Sequence, residues 1–285
     1  MKTIDAHFKI SIAKSSDYEK IVRLCKRSDG PRGYVLPILH EVIDDGGFFL
    51  AWQHGELIGV TNFDKCIDGS GWLSMARTDP SWRGKGVAGF LQQEIATHAR
   101  RRGIRTLRLW VSSRNKPSIK ACLKGGFKPV CEAVHLSRNL SVTRKHRRVP
   151  ALNSIPKDSL KSILKSTYLA KMKGYMAYQW HFVRLDGRVL MQLIHQGEVS
   201  SIEDSMFILT KPEKADHGLK NTFTLLDGRV SDAIQAVLQS ARQAGVGYVS
   251  GYVPYRRYEL AVARKAGFRT DPWGKHCIVF EKRVP

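Results

Sequence analysis

Between residues 87 and 102 the apolar side chains Val87, Phe90, Leu91, Ile95 and Ala99 return at roughly helical spacing, which predicts a helix with one buried face. Ahead of it, Trp72-Leu73-Ser74-Met75-Ala76-Arg77-Thr78 reads as a short strand that stops at Asp79-Pro80. Proline cannot donate to a ladder and turns the residue before it away from helix. Beyond the helix, Thr106 to Val111 alternates as a second strand, and a short helix opens at Asn115 and closes on Gly125-Gly126-Phe127. Upstream, Phe8 to Ile12 alternates as an opening strand, and Ser16 or Asp17 can cap a helix carrying Tyr18, Ile21, Val22 and Leu24. Val35 to Ile43 is helical, and Gly47–Trp52 and Leu57–Thr61 flank a His54-Gly55-Glu56 turn as a hairpin. Cys131 to Leu136 supplies a closing strand. Strands followed by helix, strand, helix and strand predict an α/β layer architecture around a mixed sheet.

The strand-to-helix corner at Arg83-Gly84-Lys85-Gly86-Val87-Ala88 is where this pattern carries chemistry. Unpaired N–H groups and the positive end of a helix dipole converge there, which makes an anion site. Its glycines admit close backbone approach, Arg83 and Lys85 add positive charge, and the expected ligand is a phosphate. A Walker loop is excluded because Lys85 is followed by Gly86 and Val87 rather than Ser or Thr. Gly84, Gly86 and Gly89 spell a dinucleotide fingerprint, but the place about 20 residues on that should hold an acid for the ribose falls among Arg100, Arg101 and Arg102.

The pattern then recurs. His98 to Ile104 aligns with Ser240 to Val246, Trp110-Val111 with Tyr252-Val253, and Leu123 to Lys128 with Arg264 to Arg269, so the second half reads as another copy of the first. At the same offset Arg83-Gly84-Lys85-Gly86 faces Leu225-Leu226-Asp227-Gly228. The basic residues and first glycine are gone, Asp227 would repel a diphosphate, and Asn115 has no counterpart. The second copy is therefore expected not to bind the same ligand. Its aromatics Tyr175, Tyr178, Trp180 and Phe182 read as one strand serving core and domain interface.

Composition narrows the partners. The 285 residues suit two domains, and the formal charge is +22, spread as +9 over residues 1–136, +5 over 137–156 and +8 over 157–285. Such an excess attracts polyanions, RNA among them, although no RNA-binding module signature is present. Residues 137–156, with Arg138, Arg144, Lys145, Arg147 and Arg148 and no acid, read as a basic connection, either solvated or touching a polyanion. Five cysteines without C-x-x-C pairing, no signal-peptide core and no membrane-length apolar run predict a reduced cytoplasmic protein with no structural metal.

The loop and the block after it together resemble the GNAT superfamily of acyl-CoA-dependent N-acyltransferases. The family's pyrophosphate loop, Q/R-x-x-G-x-G/A, is met by Arg83, Gly86 and Ala88, and its following block by Asn115, Gly126 and Phe127. The resemblance covers roughly residues 8–140. It implies a GNAT fold in two tandem copies, with a catalytic domain at 1–140, a basic linker at 141–156 and a degenerate domain at 157–285. It further implies that backbone N–H groups of Arg83, Gly84, Lys85, Gly86, Val87 and Ala88 hold the pyrophosphate of acetyl-CoA. Main-chain groups of Ala76, Arg77 and Thr78 would pair with the pantetheine arm and polarise the thioester. Asn115 and Ser118 would contact the cofactor, although Ser118 at a helix start can equally bond local backbone.

Where the family commonly has Tyr seven residues after the Asn, this chain has Cys122. A thiol of reference pKa about 8.5 can protonate a departing thiolate, so Cys122 is the candidate general acid, its alternative being a small buried core residue. His40, Glu41, Asp44 and Asp45 are candidate bases near the acceptor side, and the base stays unassigned. The expected activity is acetyl transfer to a primary amine of a small molecule, peptide or protein, by direct attack in a ternary complex. A tRNA-linked acyl or aminoacyl transferase of the same fold and a non-catalytic polyanion-binding protein are the alternatives, and either a monomer or a homodimer is compatible.

Overall fold

The computed structural model describes residues 8–30, 33–141, 157–215, 218–270 and 276–285; most of the predicted basic connection, residues 142–156, lies outside them. The chain divides into two compact units. The first comprises residues 1–109, 117–128 and 280–285, and the second residues 110–116 and 129–279.

In the first unit β1 (Lys9–Ile12) leads into α1 (Tyr18–Asp29) and α2 (Leu39–Asp44), followed by β2 (Phe48–Gln53), β3 (Glu56–Lys65) and β4 (Gly71–Thr78). Then come α3 (Val87–Arg101), β5 (Thr106–Ser112) and α4 (Lys116–Lys124). β1, β2, β3 and β4 pair antiparallel in that order, and β4 pairs parallel with β5. The predicted hairpin closes through His54 and Gly55, both at positive φ, as the two-residue turn between twisted strands requires.

α1 buries Ile21, Leu24 and Cys25, and the core cluster around them includes Leu39, Ile43, Phe48, Leu50 and Val60. α3 buries Val87, Leu91, Ile95 and Ala99 at successive i+4 positions, the stripe expected from its spacing. Its first turn lies close on the sheet because Gly59 of β3 carries no side chain; a Cβ there would meet Val87 Cγ1 at 2.5 Å. At the opposite end of the sheet, Arg108 of β5 is almost fully buried. It is held by Asp68 at 2.5 Å, Ser70 Oγ at 2.8 Å and Glu281 at 2.7 Å, which fastens residues 280–285 into this unit.

The second unit contains β6 (Lys128–Asn139), α5 (Lys157–Leu164), α6 (Thr167–Lys171), β7 (Tyr175–Tyr178), β8 (His181–Arg184), α7 (Gly187–His195), β9 (Val199–Ile202) and β10 (Ser205–Leu209). After these come β11 (Glu213–Ala215), β12 (Gly218–Asp227), α8 (Val230–Gln243), β13 (Tyr248–Pro254), α9 (Arg257–Lys265), β14 (Arg269–Thr270) and β15 (Cys277–Arg283), the last from Phe280 onward grouping with the first unit. β9, β10 and β12 pair antiparallel in sequence, β12 pairs parallel with β13, and α8 makes the crossover. The order β2, β3, β4, α3, β5, α4 is thus repeated as β9, β10, β12, α8, β13, α9. The closing strand expected at Cys131–Leu136 forms within β6 and groups with this second unit, pairing antiparallel with β13 from Ala133↔Pro254 to Asn139↔Tyr248.

The aromatics expected on one strand instead occupy a hairpin. β7 pairs with β8, and Gln179, at φ 54°, turns the chain between them. Tyr175 and Phe182 are buried, while Trp180 in the turn is 40% exposed. A left-handed Gln cannot continue a strand, which is why the run breaks there.

Removing Arg108 leaves the Asp68 carboxylate, whose side chain is 6% exposed, without its guanidinium. Arg108→Ala is expected to cost about 3–5 kcal/mol of folding stability in urea unfolding. Replacing Arg108 and Asp68 together by Met and Leu should recover most of that loss.

Candidate active site

The corner between β4 and α3 is built from eight residues, 79–86. Asp79 opens it by accepting from the Ser81 N–H at 3.0 Å and the Ser81 hydroxyl at 2.6 Å, which winds Pro80–Trp82 into a 3-10 turn. Gly84 and Gly86 follow at φ 77° and 91°, and no heavy atom lies within 4 Å of where either would carry a Cβ. The glycines are therefore required by backbone conformation, and the space over them is open to a ligand. Gly86 caps α3 with no side chain of its own, so the helix's first N–H groups have no preceding turn to donate to. With exposed Arg83 and Lys85 beside them, these groups fit a diphosphate.

Three contacts tie this corner to the carboxyl end of α1. Arg27 bonds Asp79 through Nε at 2.8 Å and a terminal nitrogen at 2.7 Å. Arg83 donates to the Ser28 carbonyl at 3.0 Å, and Arg77 pairs with Asp29. Arg77 also lies over the Tyr34 ring, 4.9 Å from its centroid. Burial pushes the Asp79 carboxyl up, but the Ser81 bonds and Arg27 outweigh it and hold it below its ordinary value.

Upstream, β4 carries a bulge. Asn62 of β3 faces Ser74 while Val60 faces Arg77, so Thr61 opposes two residues, Met75 and Ala76. Met75 takes φ 56°, a left-handed conformation that costs a non-glycine residue energy and concentrates at functional sites. On the other flank β4 and β5 pair only at Gly71↔Leu107 and Trp72↔Arg108, and no pair follows among the described residues. The edge of β4 from Leu73 to Thr78 is thus left open beside the bulge. Nothing in the residue types announced this bulge; Met-Ala carries no turn signal, and only the register shift reveals it.

Ala76 in the bulge and Arg77 and Thr78 after it lead into the corner, and the turn at residues 79–82 joins them to residues 83–88. Ser118 is half-buried on α4 in the first unit, while Asn115, exposed, lies in the 110–116 stretch that groups with the second; its N–H donates to Ser112 O at 2.8 Å. Cys122 is 3% exposed, and burial pushes its thiol up to about 11, so it keeps its proton at neutral pH. All five cysteines are buried and none forms a disulfide. Among the candidate bases, His40 stacks on Tyr18 at 3.9 Å, at the end of α1 away from the corner. Glu41, Asp44 and Asp45 are exposed on and just after α2.

The second unit has no such corner. Between β12 and α8 only Gly228 and Arg229 intervene, and a Cβ at Gly228 would meet Asp204 O at 2.8 Å. The residue aligned with Ser118 is Glu259, wholly buried and held by Lys171 at 2.6 Å.

The corner of the first unit thus presents an open, glycine-lined helix start below a bulged strand whose far edge has no strand pair from Leu73 to Thr78 among the described residues. Residues 16–127 match the family model described as the acetyltransferase (GNAT) family. Residues 16–127 are thus a GNAT-type acetyltransferase domain, a family whose acyl donor is acetyl-CoA. Solved structures share the fold across nearly the whole chain. A GCN5-related N-acetyltransferase from Sphaerobacter thermophilus is 14% identical, with a TM-score of 0.56, covering 97% of this chain and 96% of that one. A protein provisionally named an acetyltransferase from Thermoplasma acidophilum is 17% identical, with a TM-score of 0.55, covering 96% and 91%. Another so named from Pyrococcus horikoshii is 15% identical, with a TM-score of 0.54, covering 98% and 90%. No curated protein matches the sequence. Among the described residues no helix is long and apolar enough to cross a membrane.

Because the Asp79 carboxyl is held below its ordinary value in the folded chain, its bonds stabilise above the unfolded carboxylate pKa of about 3.9. That stability is lost as pH falls through the lower folded value. Asp79→Asn is expected to be less stable than wild type near neutrality, and the gap between their denaturation midpoints should close only on acidification below the usual carboxylate range.

Proposed function

We propose that this protein transfers an acetyl group from acetyl-CoA to a primary amine of a small molecule, peptide or protein, by direct attack of the amine in a ternary complex. The observation that carries this reading is the open Gly84–Gly86 corner at the foot of α3, continuous with the β4 bulge. Backbone N–H groups of residues 83–88 would hold the diphosphate, with Arg83 and Lys85 adding charge. When bound, the thioester supplies an activated acetyl carbon. Main-chain groups at residues 76–78, on the open edge of β4, would polarise its carbonyl, and Asn115 and Ser118 would contact the carrier arm. The amine nitrogen would bond the acetyl carbon as the carbon–sulfur bond breaks, the amine would release one proton to water, and the departing thiolate would take one up. Cys122 is the candidate donor; burial keeps its thiol protonated and, by pushing it up to about 11, also makes it a weaker acid than an exposed thiol. The second unit, with a two-residue turn in place of the loop, is read as a degenerate tandem copy that does not bind the cofactor.

Isothermal titration with acetyl-CoA should give saturable heat for wild type and none for Gly86→Glu, which fills the corner with a repelling carboxylate. An amine library screened by thiol release then identifies the acceptor. Absence of both heat and thiol release from wild type would remove the proposal. Cys122→Ala is expected to lower kcat by about 100-fold with KM for acetyl-CoA unchanged, and an unchanged kcat would return Cys122 to a packing role alone.

A further inference from the structure

From Ile95 to Cys131 the chain contains ten Lys or Arg residues and no Asp or Glu. Apart from Arg108, which is buried in its ion pairs, these cations need somewhere to discharge their field, and in the first unit the fold gathers several of them on one surface. Arg101 ends α3 and Arg102 follows it; Arg105 precedes β5, and all three are exposed. The Val284 N–H donates to the Arg105 carbonyl at 2.9 Å, which brings the last residues of the chain alongside. Lys282, two residues earlier, sends its ammonium over the Phe127 ring at 5.8 Å. Phe127 stands between Lys124, the last residue of α4, and Lys128, both exposed.

Two acids that adjoin these residues, Asp68 before β4 and Glu281 beside Lys282, are already bound to Arg108. Cations in the last turn of a helix complement its dipole by a few tenths of a kcal/mol to about 1 kcal/mol, but Arg105, Lys128 and Lys282 lie outside any helix. The repulsion is felt inside the unit as well: His98 is held below its ordinary value first by burial, and then by Arg102 and Arg101.

We infer that Arg101, Arg102, Arg105, Lys124, Lys128 and Lys282 form a docking surface for the phosphate backbone of double-helical RNA. Arg101, Arg102 and Arg105 lie at the far end of α3, whose 15 residues set them roughly 22 Å from the cofactor corner, while Lys124 adjoins Gly125, which packs on Gln92 midway along that helix. It presents the ends of α3 and α4 rather than their flanks, so it has no helix to lay into the major groove of DNA. The six side chains offer cations and no amide or aromatic group to read base edges. A-form RNA, whose major groove side chains cannot enter, is bound largely through backbone and shape, and guanidinium forks suit its phosphates. The inference goes beyond the proposed acetyl transfer, and it adds an RNA-bound setting for the acceptor.

The test uses the full chain and a fluorescein-labelled RNA hairpin, with polarisation read across a salt series. Wild type is expected to bind with log K falling steeply and linearly in log salt. A quadruple variant, Arg101→Glu, Arg105→Glu, Lys124→Glu and Lys128→Glu, should bind at least about tenfold more weakly near 0.1 M salt. Its salt slope should flatten by roughly one for each phosphate that the variant no longer neutralises. The milder Gln versions of the same four positions should fall between. Acetyl-CoA calorimetry on every variant reports folding and the cofactor corner separately, so failure here is distinguishable from failure of the acetyltransferase reading. The inference is overturned if wild type does not bind the hairpin, or if the quadruple variant binds it as wild type does. It is equally overturned if wild type prefers a DNA duplex of the same sequence or vesicles containing phosphatidylserine.

Discussion

Backbone N–H groups at the start of a helix must find a partner, and at the foot of α3 no side chain among the described residues caps them. Gly86 caps the helix in a left-handed conformation without a side chain, and Gly84 turns the chain just before it. Serine or aspartate in the capping place would satisfy one of these donors internally. A helix start without such a cap forgoes that stabilisation, and its donors then suit a diphosphate. The rest of the first unit serves to hold this corner still: Gly59 lets Val87 settle on the sheet, Asp79 winds the turn before it, and α1 grips it through Arg27, Ser28 and Asp29.

The same strand carries both halves of the site. β4 ends in the corner, and three residues earlier it bulges at Met75–Ala76 while its far edge parts from β5. A straight, fully paired β4 would spend its N–H and C=O groups on the sheet ladder. The bulge and the parting release them where a carrier arm leaving the corner would run. Left-handed backbone at Met75 is the local strain that accompanies this arrangement, and it persists because side-chain packing of Met75 against the α1 core cluster fixes it.

The second unit has the same order of strands and helices around a shorter strand-to-helix turn. Strand order, parallel crossover and buried helix face are retained, because they are enforced by core burial. Two residues stand between β12 and α8, and Glu259 with Lys171 occupies the place aligned with Ser118. Burial selects the first set of features in any stable copy, while only a ligand selects the second.

The linear sequence determined the elements and the corner, because helical spacing, strand alternation and glycine between basic residues act within a few positions of one another. Val87, Leu91, Ile95 and Ala99 declare their face locally, and Gly84 and Gly86 declare their turn. Tertiary structure alone decided what depends on partners far along the chain. The bulge at Met75 exists only relative to the register of β3, and the burial of Cys122 depends on packing that its own helix does not specify. The grouping of β6 with the second unit and of residues 280–285 with the first rests on pairing such as that of Arg108 with Glu281, 173 positions apart. Such contacts are set by which surfaces meet after the chain has closed, and no short stretch of residues encodes that meeting.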